Sequence, residues 1–214
     1  MREILDDRVR EIDGRIIRMG EMVLESIDQA MQAFREQDAV LAGKVLENDR
    51  LINELDKEIE HLCVTLAATQ SPLASDLRHM VSVLQIVTDL ERVGDYSCNI
   101  AEIVRDLGSY RVKEPAGLRE MEKKVRYMLD SSIKAFLLEN EQFAYEIAAK
   151  DDVIDELRYR IHRDLLRDLK EREEDEGPIV GLILIIRHLE RIADHATNIC
   201  ERLIFMKTGN TVKF

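Results

Sequence analysis

The chain has 214 residues, a formal net charge of -12, 35% charged residues, three prolines, nine glycines and no tryptophan. Such acidity argues against direct binding to nucleic acid or anionic lipid, both of which repel it. It suits cation binding or basic patches on a partner, and scarce proline and glycine favour long helices.

Three cysteines, Cys63, Cys98 and Cys200, without CxxC spacing, read as free thiols in a reducing cytoplasm. Met1-Arg2-Glu3 runs straight into a charged amphipathic pattern with no visible signal peptide. The longest apolar run, Ile179 to Ile186, falls far short of the ~20 residues of a membrane span. A soluble, cytoplasmic protein is expected.

The first predicted helix runs from about Ile4 to Phe34, with Ile12, Ile16, Met19, Val23, Ile27, Ala30 and Phe34 at helical spacing. Gly14 and Gly20 interrupt it without ending it. A second, with Asp38 as its N-cap, carries Leu41, Val45, Ile52, Leu55, Ile59, Leu62 and Leu66. Gln70-Ser71-Pro72-Leu73 stops and restarts the chain, Ser71 being able to cap and Pro72 suiting a first turn. The third helix reaches about Leu107. Gly108 to Gly117 is turn-rich and aperiodic, and reads as a linker.

The plan then repeats. Met121, Val125, Met128, Leu129, Ile133 and Phe136 mark a fourth helix, in which Met128, Ser132 and Ile133 match Met22, Ser26 and Ile27. Ile154, Leu157, Ile161, Leu165 and Leu169 mark a fifth, with Ile154 and Leu157 matching Ile52 and Leu55. The charged run Lys170 to Glu176 with Gly177-Pro178 closes it, and a sixth helix ends near Lys207-Thr208-Gly209. No segment alternates with the period of a strand. The expectation is an all-α fold of two tandem three-helix bundles. The first spans 1–107, the second 118–208, with a linker at 108–117 and a tail at 209–214. Helices of roughly 25 to 35 residues, at about 1.5 Å per residue, would make an elongated rod.

The third and sixth helices share a motif. Leu90-Glu91-Arg92-Val93-Gly94-Asp95-Tyr96-Ser97-Cys98-Asn99-Ile100-Ala101-Glu102 returns 99 positions later as Leu189-Glu190-Arg191-Ile192-Ala193-Asp194-His195-Ala196-Thr197-Asn198-Ile199-Cys200-Glu201. Residues four apart share a helix face, so Glu91, Asp95 and Asn99 form one oxygen-bearing row and Glu190, Asp194 and Asn198 another. The seams Ile86, Leu90, Val93, Ser97, Ile100, Val104, Leu107 and Ile185, Leu189, Ile192, Ala196, Ile199, Leu203 lie opposite, turning both rows outward.

The second helix of each half adds a flank: Asp49, Asn53, Asp56 and Glu60 in one, Asp151 and Asp155 in the other, with Asp152 and Glu156 beside them. Carboxylates brought that close repel, and a cation relieves them. All-oxygen donors suit magnesium, calcium or manganese, and carboxylate-bridged iron. The competing reading is a solvated acidic face with Arg92 and Arg191 in weak surface pairs. His188 and His195 either join a metal site or are ordinary partly exposed residues, and Cys98 and Cys200 read as packing. Glu58-x-x-His61 has no partner for a buried di-metal centre, and no phosphate loop, catalytic triad or nucleotide fingerprint is present. An enzyme is not expected.

The two blocks Leu90–Asp95 and Leu189–Ile199, their duplication and Pro72 before the first motif helix resemble the signature of the PhoU family over the whole chain. That resemblance implies two three-helix bundles with surface clusters of iron, zinc, manganese or magnesium. It implies ligands Glu91 and Asp95 with Asp49, and Glu190 and Asp194 with Asp151 and Asp155. Asn53, where a strict pattern would have Asp, leaves the first site the weaker. It further implies a non-enzymatic regulator of phosphate uptake and of the phosphate-starvation response. Such a regulator bridges the phosphate ABC transporter ATPase and a phosphate-sensing histidine kinase. The alternative is a ferritin-like oxidase or metal store. Exposed apolar positions permit a homodimer.

Overall fold

The computed structural model describes residues 2–70, 72–108, 110, 112–171 and 176–214. Seven helices and no strand occur among them: α1 (Arg2–Glu36), α2 (Ala39–Thr69), α3 (Ala74–Leu107), α4 (Leu118–Leu137), α5 (Glu141–Ala148), α6 (Asp151–Glu171) and α7 (Glu176–Thr208).

The two halves turn at the same point. After α1, Gln37 adopts φ +53°, the Asp38 amide reaches Ala33 O at 3.0 Å and that of Gln37 reaches Phe34 O. This is a Schellman stop. The Asp38 carboxylate then accepts from the amides of Val40 and Leu41, at 2.9 and 3.0 Å, and so caps α2. After α4, Glu139 at φ +48° repeats the stop, and the Asn140 side chain accepts from the Phe143 amide at 3.0 Å. The turns pair Phe34 with Phe136 and Asp38 with Asn140. The pairing of Met22 with Met128 expected from sequence is therefore one helical turn out of register: Met19 and Val23 are the counterparts of Met121 and Val125. A slip of four residues keeps the same apolar face, which is why periodicity alone did not detect it.

Two further expectations are corrected. The long second-half helices are shorter: α4 has 20 residues and α6 has 21, with the eight-residue α5 between them. Gly117, at φ +93°, sets the late start of α4. The segment matching α2 loosens at Ala149-Lys150, which puts Asp151 and Asp152 in the first turn of α6, where acidic side chains are favoured. Pro72 precedes the N-cap of α3, and Ser71 lies outside the described residues. The Asp76 carboxylate accepts from the Leu73 amide at 2.9 Å and closes that helix start instead.

The predicted seams are the core. Every seam residue of α7 is fully buried, as are those of α3 up to Val104, and Ile12, Ile16, Met19, Val23 and Ile27 of α1 have at most 1% exposure. The bundles do not extend one another into a rod. They lie flank to flank, because α3 and α7 run antiparallel in contact along their length. Arg78 reaches Met206 O at 3.5 Å, Ser82 Oγ donates to Arg202 O at 3.2 Å, and Gly181 lies against Ile103 and Leu107. On the same interface Arg35 pairs with Glu122 at 2.6 Å and Arg126 with Asp28 at 2.8 Å, joining α1 to α4. One continuous apolar core results, with α2 and α6 at the outer edges.

Midway along α3 and α7 is a polar knot. Asp89, only 7% exposed, accepts from His195 Nδ1 at 2.8 Å and from the Asn198 amide at 3.0 Å. Tyr96 lies against both His188 and His195, with ring centroids 5.6 and 5.7 Å apart. Burial, and then Arg187, hold the His188 imidazole below its usual pKa. The histidines thus face the other bundle and not the carboxylate rows, because their places in the motif fall on the side of α7 nearest α3.

Candidate functional site

Each acidic row borders the groove between its motif helix and the neighbouring outer helix. In the first half, α2 and α3 approach closely at Gly94: a Cβ there would stand 3.2 Å from Ile52 Cδ1 and 3.3 Å from Asp49 Oδ1. That contact brings Asp49 beside Asp95. Burial first, and Asp95 next, raise the Asp49 carboxyl above its usual range. Glu91 is raised by burial and then by Asp95, with Asp56 and Asp49 adding to the effect and Arg92 opposing it. Asn53 donates to Asp49 Oδ2 at 2.7 Å, while Asp49 Oδ1 is buried without a hydrogen-bond partner.

In the second half, the Asp151 carboxyl is pushed up to about 6 by burial, then by Asp194, Asp155, Asp152 and Glu190. Glu190 is raised by burial and then by Asp194, against the pull of Arg158 and Arg191. All eight residues expected from sequence, Asp49, Asn53, Glu91, Asp95, Asp151, Asp155, Glu190 and Asp194, therefore line two grooves, four to each. They are half-buried or exposed at the molecular edges and enclose no central cavity.

Three residues outside that set change the chemistry. Asp56 acts on Glu91, being seven positions beyond Asp49 and so on the same helix face. It supplies charge beside Asn53, so the first groove has four carboxylates, while the second has Asp151, Asp155, Glu190 and Asp194 with Asp152 acting on Asp151 as well. The counterpart of Asp56 in α6 is Arg158, whose Nε lies 3.5 Å from both Glu190 and Asp155. The charge that Asn53 leaves out of the first site is thus offset by Asp56. The second groove carries the tethered Arg158 among its carboxylates, whereas in the first the α2 cation Lys57 acts on Asp56. Cys98 is the third. It lies beside Asp49, and burial, then Asp49, push its thiol to about 12, which keeps it protonated. Cys200, fully buried, is packing, as its sequence position implied.

The donor types fit a hard cation: clustered carboxylates, raised protonation and an unpartnered buried oxygen all favour one. Their arrangement is open. Arg92 holds Asp95 at 3.1 Å and Arg191 holds Asp194 at 3.0 Å, and no group of three or more His, Cys, Asp or Glu side chains among the described residues converges on one point. Closing around an ion would take rotamer changes at these half-exposed side chains. The bundle interiors, by contrast, are apolar, with Ile52, Ile59, Ile86 and Val93 at most 1% exposed.

Two homologous three-helix units sharing one core, each with an acidic groove beside its motif helix, define a duplicated helical-bundle protein. A family model described as the PhoU domain matches the chain twice, over residues 16–104 and 118–203. The chain belongs to the PhoU family. A relative from Clostridium acetobutylicum, described as a phosphate-specific transport system accessory protein PhoU homolog, is 34% identical over 99% of this chain and 97% of its own. One from Thermotoga maritima with a like description is 36% identical over 90% of this chain and 84% of its own. Among solved structures, the phosphate transport system regulatory protein PhoU from Streptococcus pneumoniae superposes with a TM-score of 0.92. It shares 33% identity and covers 98% of this chain and all of that one. PhoU from Pseudomonas aeruginosa gives 0.91 at 28% identity, covering 96% and 99%.

Proposed function

We propose that this chain is an accessory, regulatory protein of phosphate uptake that binds metal ions in its two acidic grooves. It acts as an adaptor between the phosphate ABC transporter ATPase and a phosphate-sensing histidine kinase, and represses the phosphate-starvation response when phosphate is plentiful. The observation that carries this reading is the end-to-end likeness to relatives described as accessory proteins of a phosphate-specific transport system. The grooves add a chemical role: metal cations such as iron, zinc, manganese or magnesium would relieve the repulsion among Asp49, Glu91 and Asp95, and among Asp151, Glu190 and Asp194. The adaptor works in the cytoplasm and meets the membrane through its partners; no helix among the described residues is long and apolar enough to cross one.

The test pairs elemental analysis of the purified chain with a pull-down from membranes of phosphate-replete cells. Parent protein should carry metal and retain transporter components, and alanine at Glu190 and Asp194 should reduce both. Loss of metal with partner binding and repression intact would separate the grooves from the adaptor role. The apolar bundle interiors speak against a ferritin-like oxidase; oxygen consumption on iron loading, absent from an adaptor, checks that alternative.

A further inference from the structure

Of the three cysteines, Cys63 and Cys200 are sealed in the core at 1% and 0% exposure, and Cys98 alone is partly exposed. It stands on the side of α3 turned to α2. Gly94, one turn earlier, lies against Asp49 and Ile52, and the Cys98 sulfur lies 3.9 Å from Val45 O, one turn before Asp49. Asp95 is three positions before Cys98 and Glu91 seven, spacings that share a helix face. The thiol therefore ends the row that Asp49, Glu91 and Asp95 begin, and Asp49, Asp95 and Glu102 all act on it electrostatically. Asp49 Oδ1 is buried there with no hydrogen-bond partner, Asn53 having taken the other oxygen.

The duplication shows that this sulfur is no requirement of the fold. Thr197 fills the matching place in the α7 motif, so packing does not dictate a thiol at 98. The difference is one of donor chemistry. Carboxylates by themselves suit magnesium, calcium or manganese, whereas a thiolate among them favours zinc and its like. A cation seated between Asp49 and Asp95 would also cancel the negative field that keeps the thiol protonated. As the sulfur–metal bond forms, the thiol proton leaves to solvent.

We propose that Cys98 is a metal ligand of the first groove, joining Asp49 and Asp95 through its sulfur, and that it biases this groove toward thiophilic divalent cations such as zinc. The second groove, with Thr197 at the matching place, keeps the preference of its carboxylates for magnesium or manganese. The proposal rests on the metal-binding reading of the grooves and adds a ligand and a difference in selectivity between them.

Chelator-treated full-length protein is loaded separately with cobalt(II), zinc or magnesium, and bound metal is counted by elemental analysis. The cobalt form should show the near-ultraviolet charge-transfer absorption of a thiolate–metal bond. Cys98→Ser should abolish that band, with helicity retained by circular dichroism. On the unsubstituted chain, zinc should shield Cys98 from iodoacetamide, read by peptide mass spectrometry, and magnesium should not; the buried Cys63 and Cys200 serve as internal controls. Cys98→Ser should weaken zinc binding at least about tenfold, the loss typical even of groups one step removed from a metal, and leave magnesium binding unchanged. A band that survives Cys98→Ser would place the sulfur elsewhere and overturn the proposal. So would bound metal with no band and with Cys98 alkylated as fast as in metal-free protein, an outcome that leaves the grooves standing as carboxylate sites. No bound metal under any loading would overturn the groove reading and the role of Cys98 together.

Discussion

Asp89 is the acceptor for both His195 and Asn198, and at 7% exposure it has little water to replace either. A buried donor stripped of its acceptor costs about 1–3 kcal/mol. Asp89→Ala should therefore lower unfolding free energy by about 2–3 kcal/mol in urea titration, and a loss under half a kcal/mol would mean the knot contributes nothing. Asp151 acts in the opposite sense. Its carboxyl, raised to about 6, binds a proton more tightly in the folded chain than in the unfolded one. The ionised form thus penalises folding above pH 6, and the penalty fades as the pH falls toward the ordinary carboxylate range. In chelator-treated protein, Asp151→Asn should gain roughly 1 kcal/mol at about pH 8, after discounting for solvent screening at a half-buried side chain. Thermal melts across pH should show that gain vanishing near about pH 4.

Between helices, the α2–α3 and α6–α7 contacts are built from the same motif with one difference: Gly94 stands where α7 has the fully buried Ala193. A Cβ at 94 would already press on Ile52 at 3.2 Å, so Gly94→Val should overpack the contact and cost about 1–3 kcal/mol. Ala193→Gly should cost about 1 kcal/mol through helix propensity. Denaturant unfolding of both variants measures the asymmetry, and equal losses would refute the closer approach of α2. The loosened turn between α5 and α6 is a second difference at this scale. It follows no glycine or proline, and the helix-forming residues Ala148, Ala149 and Lys150 gave no signal for it.

At the scale of the molecule, the two family repeats share one core across α3 and α7 and are further joined by the Arg35–Glu122 and Arg126–Asp28 pairs. Separating them would expose apolar faces of four helices at once. Unfolding should then be a single cooperative transition, with calorimetric and van't Hoff enthalpies equal. Two resolved transitions, each assignable to one half, would show the repeats to be independent.

Periodicity by itself determined the helices, their buried seams and the two outward acidic rows, because a 3.6-residue repeat fixes which side chains share a face. The duplicated motif, from Leu90 to Glu102 and from Leu189 to Glu201, likewise marked the residues of both grooves. Only the tertiary structure decided how faces meet: that α3 lies against α7, that His188 and His195 turn to the other bundle, and that Arg158 enters one carboxylate groove while Asp56 enters the other. Helical spacing places a residue on its own cylinder, whereas the neighbour it finds depends on contacts far apart in the chain, for which a single sequence carries no local signal.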